Sequence, residues 1–199
     1  MKIIFATNNR NKLEEVRHAL GSEYELLTPR ELGIVEEIPE EHDTIEANAL
    51  QKARYVYGRT GLDCFADDTG LEVAALGGAP GVYSARYAGA GCSAADNVAK
   101  LLAALDGVGD RRAQFRTVIA LILDGHEYLF EGRVMGEITL VTAGDEGFGY
   151  DPVFRPEGRQ ETLAQMSMSE KNAISHRGQA VRGLAEFLIA RACVIRPIG

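Results

Sequence analysis

The stretch from residue 112 to residue 141 limits what this chain can fold into more than any other. Arg112 to Leu123 and His126 to Val141 read as two long strands joined at Asp124-Gly125, a strong hairpin signal because both turn positions need a positive φ. A hairpin alone is marginal in water, so further strands must complete its sheet. The N-terminal half supplies them in another rhythm. Lys2 to Ala6 reads as a short buried strand, Thr7-Asn8-Asn9 as a tight loop, and Leu13, Val16 and Leu20 as one face of a helix closed by Gly21. Tyr24 to Leu27 reads as a second strand, followed by a surface connection over residues 28 to 42. Asp43 and Glu46 predict a capping box for a helix carrying Ile45, Ala49, Lys52, Ala53 and Val56 and ending at Gly58. Leu62 to Ala66 predicts a strand that ends in Asp67-Asp68, and Ser93 and Ser175 predict the caps of two later helices. Alternation first and a hairpin afterwards predict an α/β fold with a mixed sheet and flanking helices, one domain over residues 1–199, with its ligand where loops of the two halves meet.

Composition closes off other classes. With 21 Lys+Arg against 29 Asp+Glu the formal charge is −8, which lacks the basic footprint of a protein that grips polymeric nucleic acid. The longest apolar run, Val118 to Leu123, is far too short to span a membrane, and the apolar start of the chain is too short for a secretory signal. Cys64, Cys92 and Cys193 show no CxxC spacing, so they read as reduced thiols packed as small core side chains in a cytoplasmic protein.

Several groups carry chemistry. Thr7-Asn8-Asn9, between strand and helix, suits either a helix cap or an anion held by free N–H groups, with Lys12 one turn further on. Two adjacent carboxylates, Asp67 and Asp68, repel unless a cation or proton shares their site, so they read either as a solvated acidic turn or as a pair that holds Mg²⁺ with a bound triphosphate. Glu40 and Glu41 are possible further ligands. Lys52 and Lys171 are either surface lysines or phosphate contacts. His176-Arg177 sets two cations at a helix N-terminus, where positive charge is disfavoured and an anionic or acceptor-rich partner is required. Phe148 between Gly147 and Gly149 is either a core aromatic in a turn or a platform for a base.

These residues fall in blocks: Thr7-Asn8-Asn9 with Lys12, Asn48-Ala49-Leu50 with Lys52-Ala53, Ala66-Asp67-Asp68-Thr69-Gly70, the run Leu76 to Tyr87, Gly147 to Phe154, and Glu170 to Arg177. In that order, over residues 5 to 180, they resemble the inosine triphosphate pyrophosphatase (Ham1) family. The resemblance implies an elongated α/β protein whose two lobes flank a central cleft, usually a homodimer, that hydrolyses ITP, dITP and XTP to the monophosphate and pyrophosphate with Mg²⁺. It makes Asp68 the catalytic base and a metal ligand, Asp67 its support at the metal, and Glu40 the further metal ligand, with Glu41 a rival. Substrate contacts carried over are Thr7, Asn8, Asn9, Lys12, Lys52, Thr69, Phe148, Gly149, Tyr150, Asp151, Lys171, His176 and Arg177. Thr69 replaces the commoner serine and keeps its hydroxyl.

Overall fold

The computed structural model describes the backbone of residues 2–195 and side chains as far as Arg191; Cys193 lies outside the described side chains. Strand β1 (Lys2–Phe5) leads into helix α1 (Arg10–Leu20), whose N-terminus is capped by the Asn9 side chain on the N–H groups of Asn11 and Lys12. Then follow β2 (Glu25–Leu27), α2 (Ile45–Thr60), β3 (Cys64–Val73), β4 (Pro80–Gly81) and α3 (Ala94–Ala104). The expected hairpin is β5 (Arg112–Leu123) and β6 (His126–Ile138), turning at Asp124 (φ 51°) and Gly125 (φ 77°). A short β7 (Phe154–Pro156), α4 (Met168–Ile174) and α5 (His176–Ile195) complete the chain.

The strands form one seven-stranded mixed sheet in the order β2-β1-β3-β5-β6-β7, with β4 added to β3. β2, β1 and β3 run parallel, and the remaining pairings are antiparallel. Val118 to Leu123 is apolar throughout because that half of β5 is covered on both faces. One face packs Phe5, Phe65, Ile119 and Leu121 against Val16 of α1 and Val181 and Leu184 of α5. The other packs Ile4, Cys64, Ala66 and Ala120 against Ala49, Ala53 and Val56 of α2. Beyond the midpoint of β3, Leu71, Val73 and Phe115 meet Leu101 of α3 and Phe154 in a further core. Among the described residues no helix is long and apolar enough to cross a membrane.

Four expectations need correcting. β3 does not end at the acidic pair but continues through it to Val73, because β5 pairs with it along its full length, from Cys64↔Ile122 to Val73↔Ala113. α2 is capped by Thr44, whose hydroxyl accepts from Ala47 N–H, rather than by Asp43, and it runs through Gly58 to stop at Gly61 in the left-handed region (φ 64°). β6 stops at Ile138, leaving Leu140 and Val141 exposed. Helix α4 was not expected, although Ser167 and Glu170 form a full capping box at its start.

Candidate active site

The site exists because the sheet opens. The β1–β3 ladder ends at Phe5↔Phe65, and β4 joins β3 only at Leu71↔Gly81, so the segment around Asp67 to Thr69 has no strand neighbour on that edge. A cavity of about 770 Å³ occupies the opening. Thr7, Asn8, Asn9 and Lys12 line it from the end of β1, Glu40, Lys52, Asp68 and Thr69 from the middle, and Phe148 to Asp151, Lys171, His176 and Arg177 from the C-terminal segments.

A pleated strand sends successive side chains to opposite faces, so Asp67 and Asp68, adjacent in sequence, do not share one site. Asp67 turns to the α1 and α5 side, where Lys12 Nζ donates to Oδ1 and Arg177 Nε to Oδ2, each at 3.0 Å. Burial alone would raise its pKa; Lys12 and Arg177 outweigh burial and hold the carboxyl well below the usual range. Asp68 turns to the α2 side, where Lys52 Nζ donates to Oδ1 at 2.9 Å and Oδ2 is buried with no partner among the described residues. Here burial prevails over Lys52 and Lys12, and the pKa is raised. Lys52 also donates to Glu40 Oε1, and although burial opposes its charge, Asp68 and Glu40 raise its pKa and keep it protonated. Lys12 is lowered by burial, against the pull of Asp67. The repulsion expected between neighbouring acids is therefore relieved by the pleat and by separate lysines.

Also lining the cavity, the Phe148 ring has Lys171 Nζ 5.0 Å and the Arg177 guanidinium 5.5 Å from its centroid. Asp151 fixes this loop by accepting from Phe148 N–H at 2.7 Å and from Lys171 Nζ at 2.6 Å, and Tyr150 Oη donates to the Ser84 carbonyl at 2.9 Å. Burial raises the Asp151 pKa against Lys171. Arg177 stands at the start of α5, and the anionic partners that position calls for lie inside the protein: Glu15 and Asp67, with Thr69 Oγ1 accepting from Nη2 at 3.1 Å. His176 is no cation. Burial, reinforced by Arg177 and Lys171, holds its pKa well below the ordinary value, so it is a neutral ring stacked on Phe115 at 4.6 Å with a buried, unpartnered Nδ1.

Glu15 escaped the sequence reading. It is 3% exposed on α1, donates nothing and accepts from both Lys171, at 2.5 Å, and Arg177. Only its contact with those two residues, distant in sequence, separates it from its exposed neighbour Glu14. Arg86 and Phe115 also line the cavity unannounced.

Asn9 is the helix cap, and Thr7 Oγ1 accepts from Asn9 N–H at 3.1 Å, so the capping reading of that loop holds at the cavity wall. Of the two rival glutamates, Glu40 carries its carboxylate to Lys52, whereas Glu41 is exposed and pairs with Gln51 through its N–H at 3.0 Å and Oε2 at 3.4 Å. Among the described residues no group of three or more His, Cys, Asp or Glu side chains is gathered for a metal. Mg²⁺ asks for less: one or two carboxylates, waters and phosphate oxygens. The orphaned Oδ2 of Asp68 beside Glu40 fits that requirement, whereas both Asp67 oxygens are already bound by cations.

An α/β sheet opened beside β3, with an aromatic ring and lysine-paired carboxylates lining one cavity, is the architecture of this site. The chain belongs to the Ham1 family, whose model matches residues 3–187. It is 51% identical over 190 residues to a dITP/XTP pyrophosphatase of Flavobacterium johnsoniae, covering 96% of this chain and 99% of the relative. It is 54% identical over 189 residues to one of Porphyromonas gingivalis, covering 94% and 97%. The solved Ham1 protein of Staphylococcus aureus superposes with a TM-score of 0.87 at 39% identity, over 96% of this chain and 100% of that one.

Proposed function

We propose that this protein is a nucleoside triphosphate pyrophosphatase that hydrolyses ITP, dITP and XTP to the monophosphate and pyrophosphate and so removes them from the nucleotide pool. The two relatives named as dITP/XTP pyrophosphatases support the substrate class. The observation that carries the reading is one cavity that brings together Phe148, beside Lys171 and Arg177, and Asp68, beside Lys52 and Glu40.

The base would stack on Phe148. Hypoxanthine and xanthine present a carbonyl at the 6-position, where adenine presents an amino group. N–H groups of Arg177 and the neutral His176 match that carbonyl, and an adenine would leave such buried donors unpaired. Lys12, Lys52 and the polar side chains of the Thr7 to Asn9 loop would hold the phosphates. Asp68, with an unshared oxygen and a pKa raised by burial, is suited to accept the proton of a water attacking the α-phosphorus. Asp67 keeps Lys12 and Arg177 in place from the other face. Asp68 and Glu40 would hold Mg²⁺, which would supply charge neutralisation to the triphosphate. The free thiols Cys64 and Cys92 support a cytoplasmic setting, and the homodimer of the reading is tested by light scattering.

The test is hydrolysis of dITP and XTP in ¹⁸O-labelled water. Label in the monophosphate and none in pyrophosphate is expected; release of orthophosphate and a diphosphate refutes the reading.

A further inference from the structure

Four of the five cations lining the cavity are already paired. Lys12 is 3.0 Å from Asp67, Lys52 2.9 Å from Asp68, Lys171 2.6 Å from Asp151, and Arg177 3.0 Å from Asp67. Arg86 is different. Its Nη1 is 4.0 Å from Glu40 Oε2, beyond hydrogen-bond reach, its guanidinium lies 5.3 Å over the Tyr83 ring, and its side chain is 41% exposed. The backbone beneath it is fixed: Ser84 Oγ accepts from Leu71 N–H at 2.8 Å and donates to the Gly81 carbonyl at 2.6 Å, and Tyr150 holds the Ser84 carbonyl. A firmly anchored turn thus presents to the cavity, on the Glu40 side, a cationic fork to which no carboxylate is hydrogen-bonded among the described residues. Glu40 offers Oε1 to Lys52 and Oε2 toward Arg86, so any cation engaging Oε2 repels the guanidinium from its one nearby carboxylate.

We propose that Arg86 binds the β- and γ-phosphates of the substrate and holds them as the pyrophosphate departs, an inference that rests on the pyrophosphatase reading above. In the reaction the water oxygen bonds to the α-phosphorus, the bond from that phosphorus to the α–β bridging oxygen breaks, and its electron pair leaves on pyrophosphate. Asp68 accepts the water's proton; Arg86 exchanges none and contributes charge and two parallel N–H donors to the leaving oxygens. The paired cations already have their charge balanced by the protein, so the unshared one contributes the most new attraction to a group that gains negative charge as it leaves.

Binding of the two products separates this role from others. Calorimetry with pyrophosphate and with IMP, each with Mg²⁺, is compared for the wild type, Arg86→Gln and Arg86→Lys. Arg86→Gln is expected to weaken pyrophosphate binding about 10–100-fold while IMP binding stays within about threefold, with an unchanged melting temperature. Arg86→Lys recovers part of the pyrophosphate affinity. Wild-type affinity for pyrophosphate in Arg86→Gln, or a parallel loss for both products, overturns the assignment. Wild-type enzyme that makes no pyrophosphate from dITP would sink the underlying reading instead, and that assay does not involve Arg86.

Discussion

Replacing Glu15 by glutamine tests whether the cations of the site are held by the fold or merely gathered near it. Glu15 is 3% exposed and is the one carboxylate shared by Lys171 and Arg177. Glutamine keeps the shape but removes the charge, and it turns an NH₂ donor toward one of two cations that need acceptors. Removing one partner of a buried ion pair costs about 3–5 kcal/mol. Lys171 keeps Asp151 and Arg177 keeps Asp67, which argues for the lower end, about 3 kcal/mol. For a chain of this length each kcal/mol moves Tm by roughly 2–4 °C, so scanning calorimetry at neutral pH should give a fall of about 6–12 °C. Acid provides the second arm. Burial alone would raise the Glu15 pKa, but Arg177 and Lys171 together hold it below the ordinary 4.5. A depressed folded pKa contributes stability that is present above the unfolded value and lost as pH falls through the folded one. The gap between wild type and variant should therefore narrow below the ordinary glutamate range. A Tm within about 2 °C of wild type at neutral pH, or a gap that persists undiminished in acid, refutes the reasoning.

Asp68→Asn should lower kcat for dITP by about 10²–10⁴-fold, and near-wild-type turnover removes Asp68 as base. Asp67→Asn should lower Tm, since both oxygens are bound by cations, and an unchanged melt contradicts that assignment. Phe148→Ala should raise KM for XTP, because stacking on a base is worth about 1–3 kcal/mol, or roughly 5–150-fold, and an unaltered KM removes the ring from base binding. Gly132→Ala should destabilise by about 1–3 kcal/mol in urea melts, because a Cβ there would overlap the His176 carbonyl at the start of α5; full stability would mean that α5 is not seated on β6 as described.

The elements were legible where a local signal fixes them. Asp124-Gly125 dictates the hairpin, Asn9 and Ser93 cap their helices, and the apolar run of β5 reflects a strand covered on both faces. What failed were decisions made by tertiary pairing. Nothing within residues 62 to 73 says that β3 continues through two acids; the ladder to β5 does, and it lies far along the chain. The composition of the site was likewise legible through motif resemblance, and the cavity gathers Lys12, Lys52, Asp68, Phe148, Lys171 and Arg177 as expected. Glu15 was not legible, because a glutamate followed by Val16 on an amphipathic helix reads as solvent-facing until α4 and α5 bring Lys171 and Arg177 against it.

The acidic pair shows how one local motif divides into two functions. On a turn, Asp67 and Asp68 would have shared a cation and titrated together. On a strand their environments diverge: one carboxylate meets two cations and is locked ionised, the other meets one lysine and keeps an oxygen bare. On the proposed reading the chemistry falls to the second kind, while the first holds the architecture. Asp67 fixes the Lys12 and Arg177 side chains that line the cavity beside the under-satisfied Asp68. Where the sheet edge is left open for a few residues between β1 and β4, Asp68 and Thr69, on opposite faces of β3, both line the one cavity, together with Lys12 of α1, Lys52 of α2 and Arg177 of α5.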